Sequence, residues 1–318
     1  MAEPHPAGEH GEPALHELAP GVFAYVQPDG TWWVNNAGAV VAAGQTLVID
    51  TCATAARTRR FLGSLAGATG GSPVRIAVNT HEHGDHTYGN SLLPNEALLI
   101  GHENMRARLL VDPVIDACPP LWDPVPDWGG VGRRVPDLTI SRDVTIHLGG
   151  VRVEVLHPGY AAHTTGDLAV WLPDQQVLYS GDLIFHGLTP LVVAGSIEGA
   201  LRSLEWLWSF RPEQLVPGHG PIVPARELDR VLGEHERYYR LVLDRAEAGR
   251  RAGRSPLEVA RETELGEFAA WADSERLVLN LHRAYADAES GDVDLALAFA
   301  DAIAWNAGAP LSTRVGSI

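Results

Sequence analysis

His81-Glu82-His83-Gly84-Asp85-His86 stands directly after an apolar run, Val74 to Asn79, that reads as a strand. In a turn leaving a strand, His81 and His83 can converge on one point while Asp85 and His86 face a second point nearby. Imidazole and carboxylate suit zinc, and also iron or manganese. The chain has 14 histidines, and some will cluster by chance. Three of them with an aspartate inside six residues at a strand end is a pattern with a chemical reason. Three further positions share its character, each at a strand end or in a glycine-bounded turn. They are His163 in Gly159-Tyr160-Ala161-Ala162-His163-Thr164, Asp182 in Tyr179-Ser180-Gly181-Asp182, and His219 in Pro217-Gly218-His219-Gly220. Two ions about 3.5–4 Å apart need a shared ligand, and one carboxylate can bridge them. His5, His10 and His16, in a loose leader, read as solvated residues, and His235 and His282, in predicted helices, as solvated or packing residues.

Upstream of the cluster, Val22 to Val26, Trp32 to Val41 and Thr46 to Asp50 are predicted strands, separated by Pro28-Asp29-Gly30 and Gly44-Gln45. A helix over about 53–65 is ended by the glycine-rich stretch Gly67 to Gly71. Downstream come a strand over 97–100 and a helix over 102–110. Asp112 to Asp137 then carries many prolines and glycines, together with Trp122 and Trp128, and shows no period. A loop that long inside a compact domain is usually disordered or a functional lid. Strands resume at Val144 to Leu148, Val151 to Leu156, Leu168 to Leu172 and Val177 to Ser180. A helix over 197–210 and a strand over 214–216 follow, then helices over about 225–250, 256–263, 273–289 and 292–305. Two comparable runs of strands and helices fit an α/β fold of two packed sheets with helices outside. The expected organisation is a leader over 1–14, a catalytic domain over 15–225 and a helical extension over 226–318 packed on it.

Composition sets the outer bounds. The 318 residues, 45% of them hydrophobic, suit a globular chain. The longest apolar runs fall far short of the roughly 20 residues that span a bilayer, and the first 20 residues lack the basic start and apolar stretch of a signal peptide. Cys52 and Cys118 are too few for a disulfide framework and read as reduced thiols, which points to the cytoplasm. Net charge is −16, so a phosphate backbone is a poor partner. The 24 basic residues are all arginine, which excludes Schiff-base and lysine general-base mechanisms.

The series His81-x-His83-x-Asp85-His86, His163, Asp182 and His219 resembles the metallo-β-lactamase superfamily over about residues 15–225. The resemblance implies an αββα sandwich with the metal site at the edge between the sheets. It puts a first ion on His81, His83 and His163 and a second on Asp85, His86 and His219, with Asp182 bridging. Two Zn2+ per chain are expected, iron or manganese being alternatives, and Asp85 and Asp182 are the candidate catalytic carboxylates. Aspartate at the bridge looks more like the glyoxalase II and thioesterase branches than the common zinc β-lactamases. Asp50, ending Leu47-Val48-Ile49-Asp50, matches the superfamily's first motif, which orients the ligand loop.

A second likeness covers almost the whole chain. Trp33 to Gly38, His81 to Asn90, Ser180-Gly181-Asp182, Gly187-Leu188-Thr189-Pro190 and Glu275 to Ala284 are similar to the bacterial aromatic-polyketide cyclase/thioesterases of the actinorhodin-pathway type. That implies aldol ring closure in a carrier-bound polyketide and hydrolytic release of its thioester. An aromatic substrate wants an apolar pocket, for which Trp122 and Trp128 are candidates, with Trp32 and Trp33. An acidic carrier protein would be repelled at −16 unless a basic patch exists. Arg57, Arg59 and Arg60, or Arg106 and Arg108, or Arg133 and Arg134 are the candidates. The alternatives are a broader thioester, lactone or β-lactam hydrolase, an iron persulfide dioxygenase, and a non-catalytic metal-binding scaffold. The helical tail suits a helix pair on the core, a substrate-covering cap or a homodimer interface.

Overall fold

The computed structural model describes residues 11–316. Strands β1 (Ala14–Ala19), β2 (Val22–Val26), β3 (Ala37–Ala42) and β4 (Gln45–Ile49) run antiparallel to one another in turn. Helix α1 (Ala55–Thr69) then returns the chain to β5 (Val74–Val78), parallel to β4. A four-residue α2 (Gly84–Thr87) carries the end of the histidine cluster. β6 (Leu98–His102), α3 (Glu103–Val111), a short β7 (Trp122–Asp123) and β8 (Leu138–Ile140) follow. β1 to β6 with β8 make a seven-stranded sheet.

The second half builds a six-stranded sheet from β9 (Val144–Leu148), β10 (Val151–Leu156), β11 (Ala169–Leu172), β12 (Val177–Phe185), β13 (Gln214–His219) and β14 (Val223–Pro224), with α4 (Ile197–Ser209) crossing between β12 and β13. The tail is α5 (Ala225–Arg251), α6 (Pro256–Glu262), α7 (Arg276–Ala288), α8 (Leu295–Trp305) and β15 (Leu311–Ser312).

Alternation along the strands sets the layers. Leu47 and Ile49 of β4 face inward and meet Val153, Val155, Val170 and Val216 of the second sheet. Val48, between them, faces outward onto Phe61 and Leu65 of α1. Both faces of β4 are thus buried, which is why it reads as an unbroken apolar run. On the far side, Leu178 and Leu215 pack against Ile197, Leu204 and Leu207 of α4, and that cluster continues into Val231 and Tyr238 of α5 and Leu277 of α7. The order helix, sheet, sheet, helix is the αββα sandwich, and the tail helices share its core. No helix among the described residues is long and apolar enough to cross a membrane.

Several boundaries differ from the sequence expectation, each for a physical reason. The leader expected over 1–14 lies mostly outside the described residues, as do His5 and His10; Ala14 already begins β1. His16 belongs to that strand, paired with Ala24, rather than to a loose leader. The strand expected from Trp32 begins only at Ala37, because Trp33 has a positive φ of 68° and breaks the extended run. β12 and β13 run on past their predicted ends to Phe185 and His219, with register shifts between Tyr179 and Phe185. The 112–137 stretch is stitched down: β7 pairs in parallel with β15, and the Trp128 indole donates to the Val114 carbonyl at 2.9 Å.

The candidate basic patches are partly spent inside the fold, while Arg59, Arg60 and Arg108 stay exposed. Arg57 is fully buried, donating to the Asn35 carbonyl at 2.7 Å. Arg133 and Arg134 donate to backbone carbonyls of Leu109, Leu93, Pro94 and Ala97. Both cysteines are free thiols.

Candidate metal centre

β5 ends at Val78 and releases His81, His83, Asp85 and His86 at the rim between the sheets. The loop is pinned from below. Asn79 Nδ2 and the Thr51 amide both donate to the His86 carbonyl at 2.9 Å, and Thr87 Oγ1 donates to the His83 carbonyl at 2.9 Å. A side chain at residue 84 would start 2.2 Å from the Tyr88 ring, so only glycine lets the loop lie this flat. His163 comes from the β10–β11 loop, Asp182 from inside β12 and His219 from the end of β13. All seven residues are brought together, and they fall into two groups of donor atoms, His81, His83, His163 and Asp182 against Asp85, His86 and His219.

In the first group, His83 Nδ1 lies 3.1 Å from His81 Nε2 and 2.9 Å from His163 Nε2. One proton on His83 could satisfy at most one of these contacts. The His163 Nδ1 proton goes to the Leu191 carbonyl at 2.6 Å, which leaves its Nε2 lone pair aimed into the cluster. Nitrogens on a tetrahedral zinc, at about 2.0–2.1 Å from the ion, stand about 3.3–3.4 Å apart, close to these spacings. In the second group, His86 Nδ1 gives its proton to Asp50 Oδ2 at 2.7 Å, and His219 Nδ1 gives its own to the Val34 carbonyl at 2.9 Å. Their Nε2 atoms then face carboxylates, His86 to Asp182 Oδ1 at 3.0 Å and His219 to Asp85 Oδ2 at 3.2 Å. Lone pair facing lone pair is repulsive unless a cation or an added proton stands between. His86 Nε2 and Asp182 Oδ1 are indeed buried without a hydrogen bond. The donor set therefore fits divalent ions, and the pairing of each ring's other nitrogen is the support such ligands need.

Asp182 lies between the groups. Its Oδ2 is 3.3 Å from His219 Nε2, 3.4 Å from His163 Nε2 and 3.7 Å from His81 Nε2, while Oδ1 turns to His86. A Cβ on residue 218 would sit 1.9 Å from Asp182 Oδ1, so Gly218 is what lets β13 close against that carboxylate. Asp50 holds the loop from behind, accepting from the Thr80 amide and hydroxyl at 2.7 Å each.

Without an ion, the electrostatics divide along the same line. Burial drives His163 down to about 3 and His81 well below the ordinary imidazole value, so the first group offers neutral nitrogens. Burial also opposes charge on His86 and His219. The surrounding carboxylates, Asp182 foremost, overcome it and raise both. Burial would likewise raise Asp85 and Asp182. Instead His86 and His219 bring Asp85 to about 2, and His219, His86, His81 and His163 hold Asp182 well below the usual range. A cation binding here competes with protons for His86 and His219.

Trp122 and Trp128, the candidate pocket residues, are 4% and 6% exposed. Both are packed against Trp33, with ring centroids at 5.1 and 4.8 Å. Trp33 is only half-buried and also lies 6.2 Å from the Tyr88 ring. Trp122 and Trp128 thus back an aromatic wall whose exposed member is Trp33.

Sequence reasoning missed the anchors. Asn36 Nδ2 donates to the carbonyls of Pro217 and Gly220 at 2.9 and 2.8 Å and so frames His219. Leu191 and Val34 act through backbone carbonyls, which leave no trace in a sequence. The pair Asn35-Asn36 interrupting an apolar run was the one available signal.

A family model described as the metallo-beta-lactamase superfamily matches residues 30–219. Among curated proteins, the 2,4-dinitroanisole O-demethylase subunit alpha of Nocardioides sp. (strain JS1661) is 26% identical over 189 residues, 58% of this chain and 52% of the relative. The match thus spans about half the length of that relative. A solved metallo-beta-lactamase from Pontibacter korlensis is 18% identical, covering 72% of this chain and 99% of its own, at a TM-score of 0.57. The stereoselective inverting sec-alkylsulfatase of Pseudomonas sp. is 17% identical, covering 86% of this chain and 50% of its own, at a TM-score of 0.69. These two likenesses are of fold.

Proposed function

We propose a reaction class from one premise: this chain belongs to the metallo-β-lactamase superfamily. The reading is a dinuclear metal-dependent hydrolase, in which His81, His83 and His163 hold one ion, Asp85, His86 and His219 a second, and Asp182 both. The observation that carries it is the position of Asp182, whose carboxylate lies within 3.7 Å of His81 and His163 of the first group and of His86 and His219 of the second. Divalent ions held there, zinc or else iron or manganese, would supply a Lewis acid for a substrate oxygen and a water of lowered pKa. The side chains do the rest. Asp85, ionised at neutral pH, turns Oδ2 to His219 in the second group, and its other oxygen would accept the proton released by the attacking water. The carbonyl anchors on His163 and His219 fix the ring tautomers, so the Nε2 atoms need no reorganisation during turnover.

The substrate in this reading is an aromatic acyl compound, free or carrier-bound, whose thioester is hydrolysed or whose ring is closed by aldol chemistry. The half-buried Trp33 beside Tyr88 suits a planar ring, and the sequence likeness to aromatic-polyketide cyclase/thioesterases supports the thioester. A second reading is cleavage of an aryl ether, favoured by the curated relative, which is named as an O-demethylase of 2,4-dinitroanisole. The test is metal analysis of the purified protein alongside product analysis with a polyketide-like aryl thioester, a chromogenic lactam and 2,4-dinitroanisole. Two metals per chain with thioester turnover is the expected result. Less than one metal per chain at neutral pH would sink the dinuclear reading, and dinitroanisole turnover without thioester turnover would move the substrate to the ether.

A further inference from the structure

A short segment links the tail helices to the candidate metal centre. Residues 188–192 leave β12 and pass over the rim of the second sheet, and the Leu191 carbonyl there takes the His163 Nδ1 proton at 2.6 Å. On either side of Leu191 the backbone is held by a single side chain of α7. Asn280 Nδ2 donates to the Pro190 carbonyl at 2.8 Å, and Asn280 Oδ1 accepts the Val192 amide at 2.7 Å. In extended chain, backbone groups two residues apart lie on one edge and those of the residue between lie on the other. Asn280 therefore occupies one edge as a strand partner would, which turns the Leu191 carbonyl to the opposite edge, toward His163.

The clamp is itself clamped. The second Asn280 amide proton goes to Tyr238 Oη of α5 at 2.8 Å, and Asn280 is fully buried. One turn earlier on α7, the buried Arg276 donates to the Thr189 carbonyl at 3.0 Å and pairs with Asp273 at 2.9 Å. The Thr189 amide donates to the Ala272 carbonyl at 2.9 Å. Backbone groups of Thr189 and Pro190 before Leu191, and of Val192 after it, are thus fixed from the tail. All these tail residues lie beyond the 30–219 span of the family match.

We propose that Asn280 is a positioning residue for the first metal subsite: through Pro190 and Val192 it sets the Leu191 carbonyl that fixes the tautomer and aim of His163. The inference rests on the dinuclear reading. Removing an outer partner of a metal-ligating histidine typically lowers metal affinity roughly 10–100-fold, and the loss belongs to the subsite of that histidine.

The test is titration of the metal-depleted full chain with Co2+, following the visible absorption of each subsite, and competition against a chelator. Wild type, Asn280→Leu, Tyr238→Phe and the reference variant His163→Ala are compared, with melting temperature recorded for each. Asn280→Leu keeps the volume but removes both clamp bonds. The expected result is a 10–100-fold weaker first site, with the band shifted in the same sense as in His163→Ala and the second site unchanged. Tyr238→Phe, which removes only the outer hydroxyl and keeps the fold if Asn280→Leu does not, should weaken the same site several-fold. Wild-type affinity at both sites in a folded variant, with only the melting temperature lowered, would overturn the proposal and leave Asn280 a packing residue. Failure of wild type to bind Co2+ would instead sink the dinuclear reading itself, which separates the two outcomes.

Discussion

At the scale of single residues, the centre is asymmetric in what each side chain can lose. Asp182 touches four imidazoles, so no neighbour can take its place. Asp182→Ala should lower kcat/KM at least about 1000-fold, the several kcal/mol of charge stabilisation such a site supplies, with an unchanged far-UV circular dichroism spectrum. Turnover within tenfold of wild type would rule out a shared carboxylate. Asp50 is one bond further out, against His86 Nδ1. Asp50→Ala should leave the fold and cost roughly 10–100-fold in metal affinity at the second site, measured by chelator competition. An equal loss at both sites would mean that Asp50 supports the whole loop rather than His86.

At the scale of elements, His235 gives a pH prediction away from the metal. On α5 it donates from Nδ1 to the Val231 carbonyl at 2.9 Å and accepts the Phe185 amide of β12 at Nε2, 3.1 Å. Both contacts need the neutral ring, and burial lowers its pKa to about 4. The folded value lies below the unfolded one, so the unfolded chain binds the proton first on acidification. The stabilisation is whole above about pH 6.5 and is lost as pH falls to about 4, up to about 3 kcal/mol. His235→Gln, which does not titrate, should flatten the slope of unfolding free energy with pH across that window in denaturant titrations. An unchanged slope would place the buried proton elsewhere.

The elements also show how far a sequence can be read. β9 and β10 were legible to the residue from their period-two alternation about the Gly149-Gly150 turn, and β2 as a short apolar run between Gly21 and Pro28-Asp29-Gly30. The ligand set was legible because its spacing is local or sits beside glycine. The anchors were not: Asn280 meets Pro190 across 90 residues, and nothing in either neighbourhood announces the other. Trp32 to Asn36 failed as a strand for a related reason, since the asparagine side chains bind distant carbonyls in place of a ladder.

At the scale of the whole molecule, net charge is −16, and Arg57, Arg106, Arg133 and Arg134 of the candidate patches bind backbone carbonyls, which leaves Arg59, Arg60 and Arg108 exposed. An acidic acyl carrier should then approach slowly at low salt. Raising ionic strength past about 0.1 M, where the screening length is about 10 Å, should increase kcat/KM for a carrier-bound substrate and leave a free thioester of the same acyl group unchanged. A fall with salt for the carrier-bound form would reveal an attractive patch.

The seven donors are drawn from both sheets, between His81 and His219. An unfolded chain keeps together only His81, His83, Asp85 and His86, so an ion held by all seven favours the native state and adds the difference in binding energy to folding. Each tenfold rise in free ion above the dissociation constant adds about 1.4 kcal/mol per ion. Removing the ion with a chelator should then lower the melting temperature and speed digestion by an added protease, and restoring it should reverse both.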